Sequence, residues 1–184
     1  MSVPAALKFT YGDYALLPED RRYEVIDGEL FMTPAPTPFH QIVSIRLTRL
    51  LTDFTQERGL GTVLQAPCDV VLSPHDILQP DIFFVSAARR AIIGDRYVGP
   101  APELVIEVLS PSTETRDRIA KAKRYATFGV GEMWLVDPAA QTIEVLVSTA
   151  DGFRQHLLAE GSGLVRSTVL PGLKFPASLI FRPL

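Results

Sequence analysis

The chain has 184 residues, 47% of them hydrophobic and 21% charged, with a net charge of −3. That length and balance specify a globular protein with a real core and exclude both a disordered chain and a strongly basic nucleic-acid binder, though not an enzyme that meets nucleic acid through a local patch. No apolar run reaches the roughly 18 residues of a membrane span, and the single Cys68 excludes an internal disulfide framework and fits a reducing, cytoplasmic compartment.

The first residues, MSVPAALKFTYGDYALLPED, carry no basic stretch followed by an apolar block, so no secretory signal is expected. Residues 23–33, YEVIDGELFMT, predict a β-hairpin turning at Asp27-Gly28, where glycine accepts positive φ. A helix is expected from about Phe39 to Arg58. Its Val43, Leu47, Leu50, Leu51 and Phe54 share one face, Arg46, Arg49 and Asp53 lie off it, and Gly59 supplies a stop.

Strand-like segments follow at about 61–72 (GTVLQAPCDVVL) and 81–85 (DIFFV), with a loop or short helix over 86–99. Pro80 can open the strand at 81–85, where its missing N–H matters least. ELVIEVL, residues 103–109, reads as a central strand, apolar on both faces except at Glu107. A second helix is predicted over 113–128, ending at Gly129, with Ser110, Ser112 and Thr113 as alternative caps. EMWLVD (132–137), TIEVLV (142–147) and FRQHLLAE (153–160) read as further strands, and the apolar VLPGLKFPASLIF packs back on the core. The order is that of one mixed α/β domain spanning 1–184.

Chemistry concentrates at two acids. A charge inside a buried strand is costly unless it is paired, protonated or bound to metal. If the strands bearing Asp81 and Glu107 are neighbours, their carboxylates converge at one end of the sheet and repel, unless a cation compensates. Mg²⁺ or Mn²⁺ is the natural candidate, and such an ion can activate water and stabilise charge on a phosphodiester. The following helix offers Lys121 and Lys123. Asp117, Lys121 and Tyr125 are four apart and share a face.

Each residue also has a plain structural reading. Asp81 after proline is a common turn residue, and Glu107 could pair with an arginine. Asp117 and Lys121 could form an exposed i,i+4 pair. Asp69, Gln79 and Tyr125 read as structural or supporting residues, and Phe83 and Trp134 as core. The histidines at 40, 75 and 156 show no zinc-finger spacing with Cys68, and there is no GxGxxG, Walker loop or GxSxG.

PD at 80–81, an acid inside a later strand and then a lysine-bearing helix resemble the PD-(D/E)xK nuclease superfamily. YEVIDGEL, HQ at 40–41, QPD at 79–81, ELVIEVLSPST at 103–113, then Asp117, Lys121, Tyr125, GVGEMWLVD at 129–137 and LPGL at 170–173 resemble the Uma2 family in order along almost the whole chain. The resemblance implies a restriction-endonuclease-like fold, a mixed central sheet flanked by helices after an N-terminal hairpin. It implies a divalent-metal-dependent endonuclease acting on DNA, with Asp81 and Glu107 as metal-binding acids and Mg²⁺ or Mn²⁺ as cofactor. Lys121 fits the family's lysine better than Lys123. Glu24 and His40 also match family positions, as a third acid and as a ligand, phosphate contact or base. A homodimer is expected on family analogy. The chain departs from the superfamily pattern at Leu109, where the strand lysine should stand, so the lysine must come from the helix. The rival reading is a non-catalytic binding or assembly module that retains the fold.

Overall fold

The computed structural model describes residues 7–18, 20–111 and 114–182. A short helix α1 (Tyr11–Tyr14) precedes the hairpin β1 (Arg22–Ile26) and β2 (Glu29–Thr33). Asp27 and Gly28 turn at φ +51° and +81°, the pair of positive angles that a two-residue hairpin turn requires. Helix α2 spans Pro38–Glu57. The Thr37 side chain accepts from the His40 N–H, and Pro38 supplies the fixed φ of the first turn.

The segment expected as strand over 61–72 divides at Pro67. Strand β3 (Gly61–Gln65) joins the main sheet, while β4 (Val70–Ser73) joins a different one with β5 (Asp76–Leu78). Pro67 has no N–H for a ladder, so the break between sheets falls there. Strands β6 (Ile82–Ser86), β7 (Leu104–Val108), β8 (Glu132–Asp137), β9 (Thr142–Thr149) and β10 (Gly152–Glu160) complete a six-stranded sheet in the order β10-β9-β8-β7-β6-β3. Only β7 and β8 run parallel; the other neighbours are antiparallel. The smaller sheet has the order β2-β1-β5-β4. Residues 86–99 hold a 3-10 turn at Ala87–Ile92.

The helix expected over 113–128 begins with a π-helical stretch, Arg116–Lys121, and continues as α3 (Ala122–Thr127). Of its candidate caps, Ser112 and Thr113 lie outside the described residues, and the Ser110 carbonyl accepts from Glu114 N–H. The tail forms β11 (Leu164–Arg166), β12 (Lys174–Pro176) and α4 (Ser178–Phe181), and Val165, Phe175, Ile180 and Phe181 are buried.

Strand periodicity sorts the core into two layers. Even-numbered Ile82, Phe84, Leu104, Ile106, Val108, Trp134 and Val136 pack with Val43, Leu47 and Leu51 of α2. Odd-numbered Phe83, Val85, Val105, Leu109, Met133 and Leu135 pack with Tyr125 of α3 and with Val70 and Leu78 of the smaller sheet. Asp81 and Glu107 are odd-numbered, so both belong to the second layer's side. Glu107 interrupts an apolar row between Val105 and Leu109.

Candidate active site

Strands β6 and β7 are paired through Ile82↔Ile106. One step further, the register sets Asp81 opposite Glu107 at the end of the pair. Asp81 is held there by its own strand end: Val108 N–H donates to Asp81 Oδ2 at 2.8 Å, and the Asp81 carbonyl accepts from Ala66 N–H at 3.0 Å. His40, in the capped first turn of α2, brings Nε2 to 3.2 Å from the same Oδ2. Both contacts use one carboxylate oxygen of Asp81.

Behind this rim lies a buried charge cluster. The Lys121 Nζ stands 2.8 Å from Glu24 Oε1, 3.1 Å from Glu107 Oε2 and 3.3 Å from Asp117 Oδ1. Glu24 arrives from β1 in the smaller sheet, and Gln79 N–H also donates to its Oε1 at 2.9 Å. The other oxygen of Glu107 accepts from the Tyr125 hydroxyl at 2.7 Å. Arg116 places a guanidinium nitrogen 3.6 Å from Glu24 Oε2. All four members of the lysine cluster are almost fully buried, with Glu24 at 0% exposure.

The helix reaches this cluster because of its spacing. Four residues of α-helix overshoot one turn by about 40°, so 117, 121 and 125 would drift around the axis. The π-helical stretch has i→i+5 bonding and a wider turn, which offsets that drift between Asp117 and Lys121. Asp117, Lys121 and Tyr125 are consequently all buried, whereas Lys123 is exposed. Lys121 therefore faces the cluster and Lys123 does not.

Charge sets the protonation of this floor. Burial pushes the Glu107 carboxyl well above the ordinary carboxylate range; Lys121 opposes this, and Asp117, Asp81 and Glu24 add to it. Burial works against the Lys121 charge, but Glu107, Glu24 and Asp117 outweigh it and hold the ammonium protonated well above its usual range. Burial, followed by Glu107 and Glu24, raises the Tyr125 hydroxyl, which stays a donor.

These side chains line a cleft of about 210 Å³ that includes His40, Asp81, Glu107, Arg116, Asp117 and Lys121. It adjoins a larger groove of about 900 Å³, which shares His40 and Asp81. The five residues singled out from sequence thus gather at one place: Glu24 and Glu107 each in contact with Lys121, and Asp81 and His40 paired at the rim. Asp117 belongs to the cluster and is not half of an exposed pair. Its spacing to Lys121 was the signal. Arg116 left no signal in the sequence, because its proximity to Glu24 depends on how the hairpin sheet packs. Gln79 supports the site from behind, since its side-chain amide donates to Asp69 at 2.8 Å and to the Tyr14 hydroxyl at 3.2 Å.

Among the described residues, no three His, Cys, Asp or Glu side chains are already grouped as a metal-ligand set. The donor chemistry nevertheless suits a hard divalent cation. Four carboxylates (Glu24, Asp81, Glu107 and Asp117) face two cationic side chains, Lys121 and Arg116, and all the acid donors are oxygens.

The Uma2 family, described as "Putative restriction endonuclease", matches residues 11–178. The fold is similar to the crystal structure of a "putative nuclease belonging to DUF820" from Anabaena variabilis, with a TM-score of 0.79 and 20% sequence identity, over 94% of this chain and 97% of that one. At that identity the likeness shows the fold, a mixed central sheet flanked by helices, and the restriction-endonuclease-like architecture expected from the sequence is the one found. No curated protein matches the chain. Family and neighbour together support a nuclease-like function.

Proposed function

The chain belongs to the Uma2 family, and from that premise we propose that it is a Mg²⁺- or Mn²⁺-dependent endonuclease hydrolysing DNA phosphodiester bonds. The observation that carries this reading is the gathering of Asp81, Glu107 and Lys121 in one cleft although 40 residues of chain separate the first from the last. Asp81 and Glu107 would hold the ion. Bound there, it supplies positive charge to a phosphoryl oxygen and lowers the pKa of a water.

The chain's own residues do the rest. Val108 N–H and His40 fix the Asp81 carboxylate at the cleft wall, so little reorganisation is needed when charge develops. Lys121 is held as an ammonium by three carboxylates, so its part is electrostatic and not that of a proton acceptor. Glu24 is fully buried beneath it and acts as a positioning residue, with Asp117 beside it. Tyr125 orients Glu107 by donating to Oε1. On this reading the lysine of the site comes from the helix, which is why Leu109 can stand at the strand position.

The test is cleavage of plasmid, linear and single-stranded DNA with Mg²⁺ or Mn²⁺ by wild type, Asp81→Ala and Glu107→Ala. Metal-dependent cutting by wild type, lost in both folded variants, is the expected result. No cutting by wild type on any substrate favours the non-catalytic module, and equal cutting by all three proteins identifies a contaminant.

A further inference from the structure

We propose that Arg116 is the residue that grips the substrate phosphate in this cleft, held ready by Glu24 and released to the incoming anion. The inference rests on the nuclease reading and assigns its phosphate contact.

Besides His40, whose Nε2 is turned to Asp81, three basic side chains line the cleft: Arg22, Arg116 and Lys121. Lys121 is buried beneath three carboxylates. Moving it to a substrate would strand those acids without their cation. Arg22 donates a guanidinium N–H to the Pro34 carbonyl at 3.2 Å and braces the hairpin. Arg116 differs from both. Its nitrogen lies 3.6 Å from Glu24 Oε2, an ion-pair distance too long for a hydrogen bond. Its Nε–H is buried and has no hydrogen-bond acceptor among the described residues, and Glu24 Oε2 is buried with no donor.

A guanidinium has five N–H donors in a planar fork that matches two oxygens of a phosphate. A buried N–H without an acceptor is a costly arrangement, and an entering phosphodiester oxygen supplies the missing partner. The side chain is steadied by contact with the Phe31 ring, whose centroid lies 5.6 Å from the guanidinium carbon. A ring face restrains the plane of the guanidinium without occupying its in-plane donors. The side chain is 15% exposed, so it reaches the cleft and is not sealed in the protein.

Charge points the same way. An anionic backbone entering among four carboxylates needs a cation that can turn toward it. Glu24 keeps its contacts to Lys121 and Gln79 when Arg116 leaves, because those use Oε1 and Arg116 faces Oε2. The exchange is thus local: one loose ion pair opens, and one forked pair to phosphate forms.

The experiment measures binding of a fluorescent single-stranded oligonucleotide and its duplex form by anisotropy, in EDTA, over a range of salt. Wild type, Arg116→Gln and Arg116→Lys are compared, with melting temperatures measured alongside. Arg116→Gln should weaken binding by about 10-fold or more at low salt and lower the slope of log K against log salt by about 0.7–0.9, the signature of one lost phosphate contact. Arg116→Lys should restore the slope but not the full affinity, because it keeps the charge and loses the fork. Unchanged affinity and slope in Arg116→Gln, with only a lower melting temperature, would reduce Arg116 to a structural counter-charge for Glu24 and leave the nuclease reading standing. If wild type binds neither oligonucleotide, the phosphate contact is overturned, while the nuclease reading stands or falls on the metal-dependent cleavage assay.

Discussion

Glu107 and Glu132 lie on neighbouring parallel strands, at opposite ends and on opposite faces of the same sheet, and both are buried. Their surroundings differ in kind. Glu132 Oε1 accepts from the Trp134 indole N–H and the Ser167 hydroxyl, each at 2.7 Å, and Oε2 from the Thr168 N–H and hydroxyl, each at 2.6 Å. Every donor is neutral, and together they tie β8 to the segment leading into β12. Glu107 instead shares a single ammonium with Glu24 and Asp117 and takes one hydroxyl. A buried acid is therefore not a site marker by itself. The acid saturated by fixed dipoles holds the fold together. On the proposed reading, the acid left competing for charge is the one that takes a further cation.

The contrast can be broken most forcefully at its shared cation. Lys121→Met leaves three buried acids without their ammonium and should cost about 3–5 kcal/mol at neutral pH by chemical denaturation. A carboxyl whose folded pKa lies above its unfolded value contributes stability below the unfolded value and loses it as pH rises through the folded one. The deficit of Lys121→Met should therefore shrink as pH falls toward about 4 and the acids take up protons. A pH-independent deficit would mean that Lys121 acts there only by packing.

Glu132→Gln is the next largest. It turns an amide N–H toward groups that are themselves donors, so it should cost about 1–3 kcal/mol while leaving phosphodiester cleavage intact below its melting temperature. Glu107→Gln is expected to do the reverse. Burial already disfavours the charged carboxyl there, so the variant should lose less stability than Glu132→Gln while cleavage is lost. Its clearest mark is in pH. The raised Glu107 makes wild type lose stability as pH rises through that group's folded pKa, and Glu107→Gln should flatten that slope. Equal slopes for wild type and variant would contradict the charge competition on which the comparison rests.

Much of this site is legible in the sequence, and the reasons are local. Asp81 announces itself by following Pro80 at the mouth of an apolar run, and Glu107 by breaking an otherwise buried strand. Lys121 is singled out over Lys123 by its match to the family position, and the 117–121–125 spacing sets it on one face with Asp117 and Tyr125. What is not legible depends on how distant segments pack. Asp76 is fully buried against a forked contact from Arg124, at 2.6 Å on both oxygens, yet it stands in the turn-like SPHD and gives no hydrophobic pattern. Strand β5, with three residues, is too short for periodicity to reveal. Glu132 begins an ordinary-looking strand, and all its donors but Trp134 come from 35 or more residues later. Arg116 is conspicuous only once Glu24 has been brought across from another sheet.

The most direct test of the central claim is calorimetric titration with Mn²⁺ of wild type, Glu107→Gln and Glu132→Gln, each below its melting temperature. Wild type should bind the ion, Glu132→Gln should bind it equally well, and Glu107→Gln should show no binding heat. Undiminished binding by Glu107→Gln, or none by wild type, would contradict the assignment of Asp81 and Glu107 as the metal-holding acids.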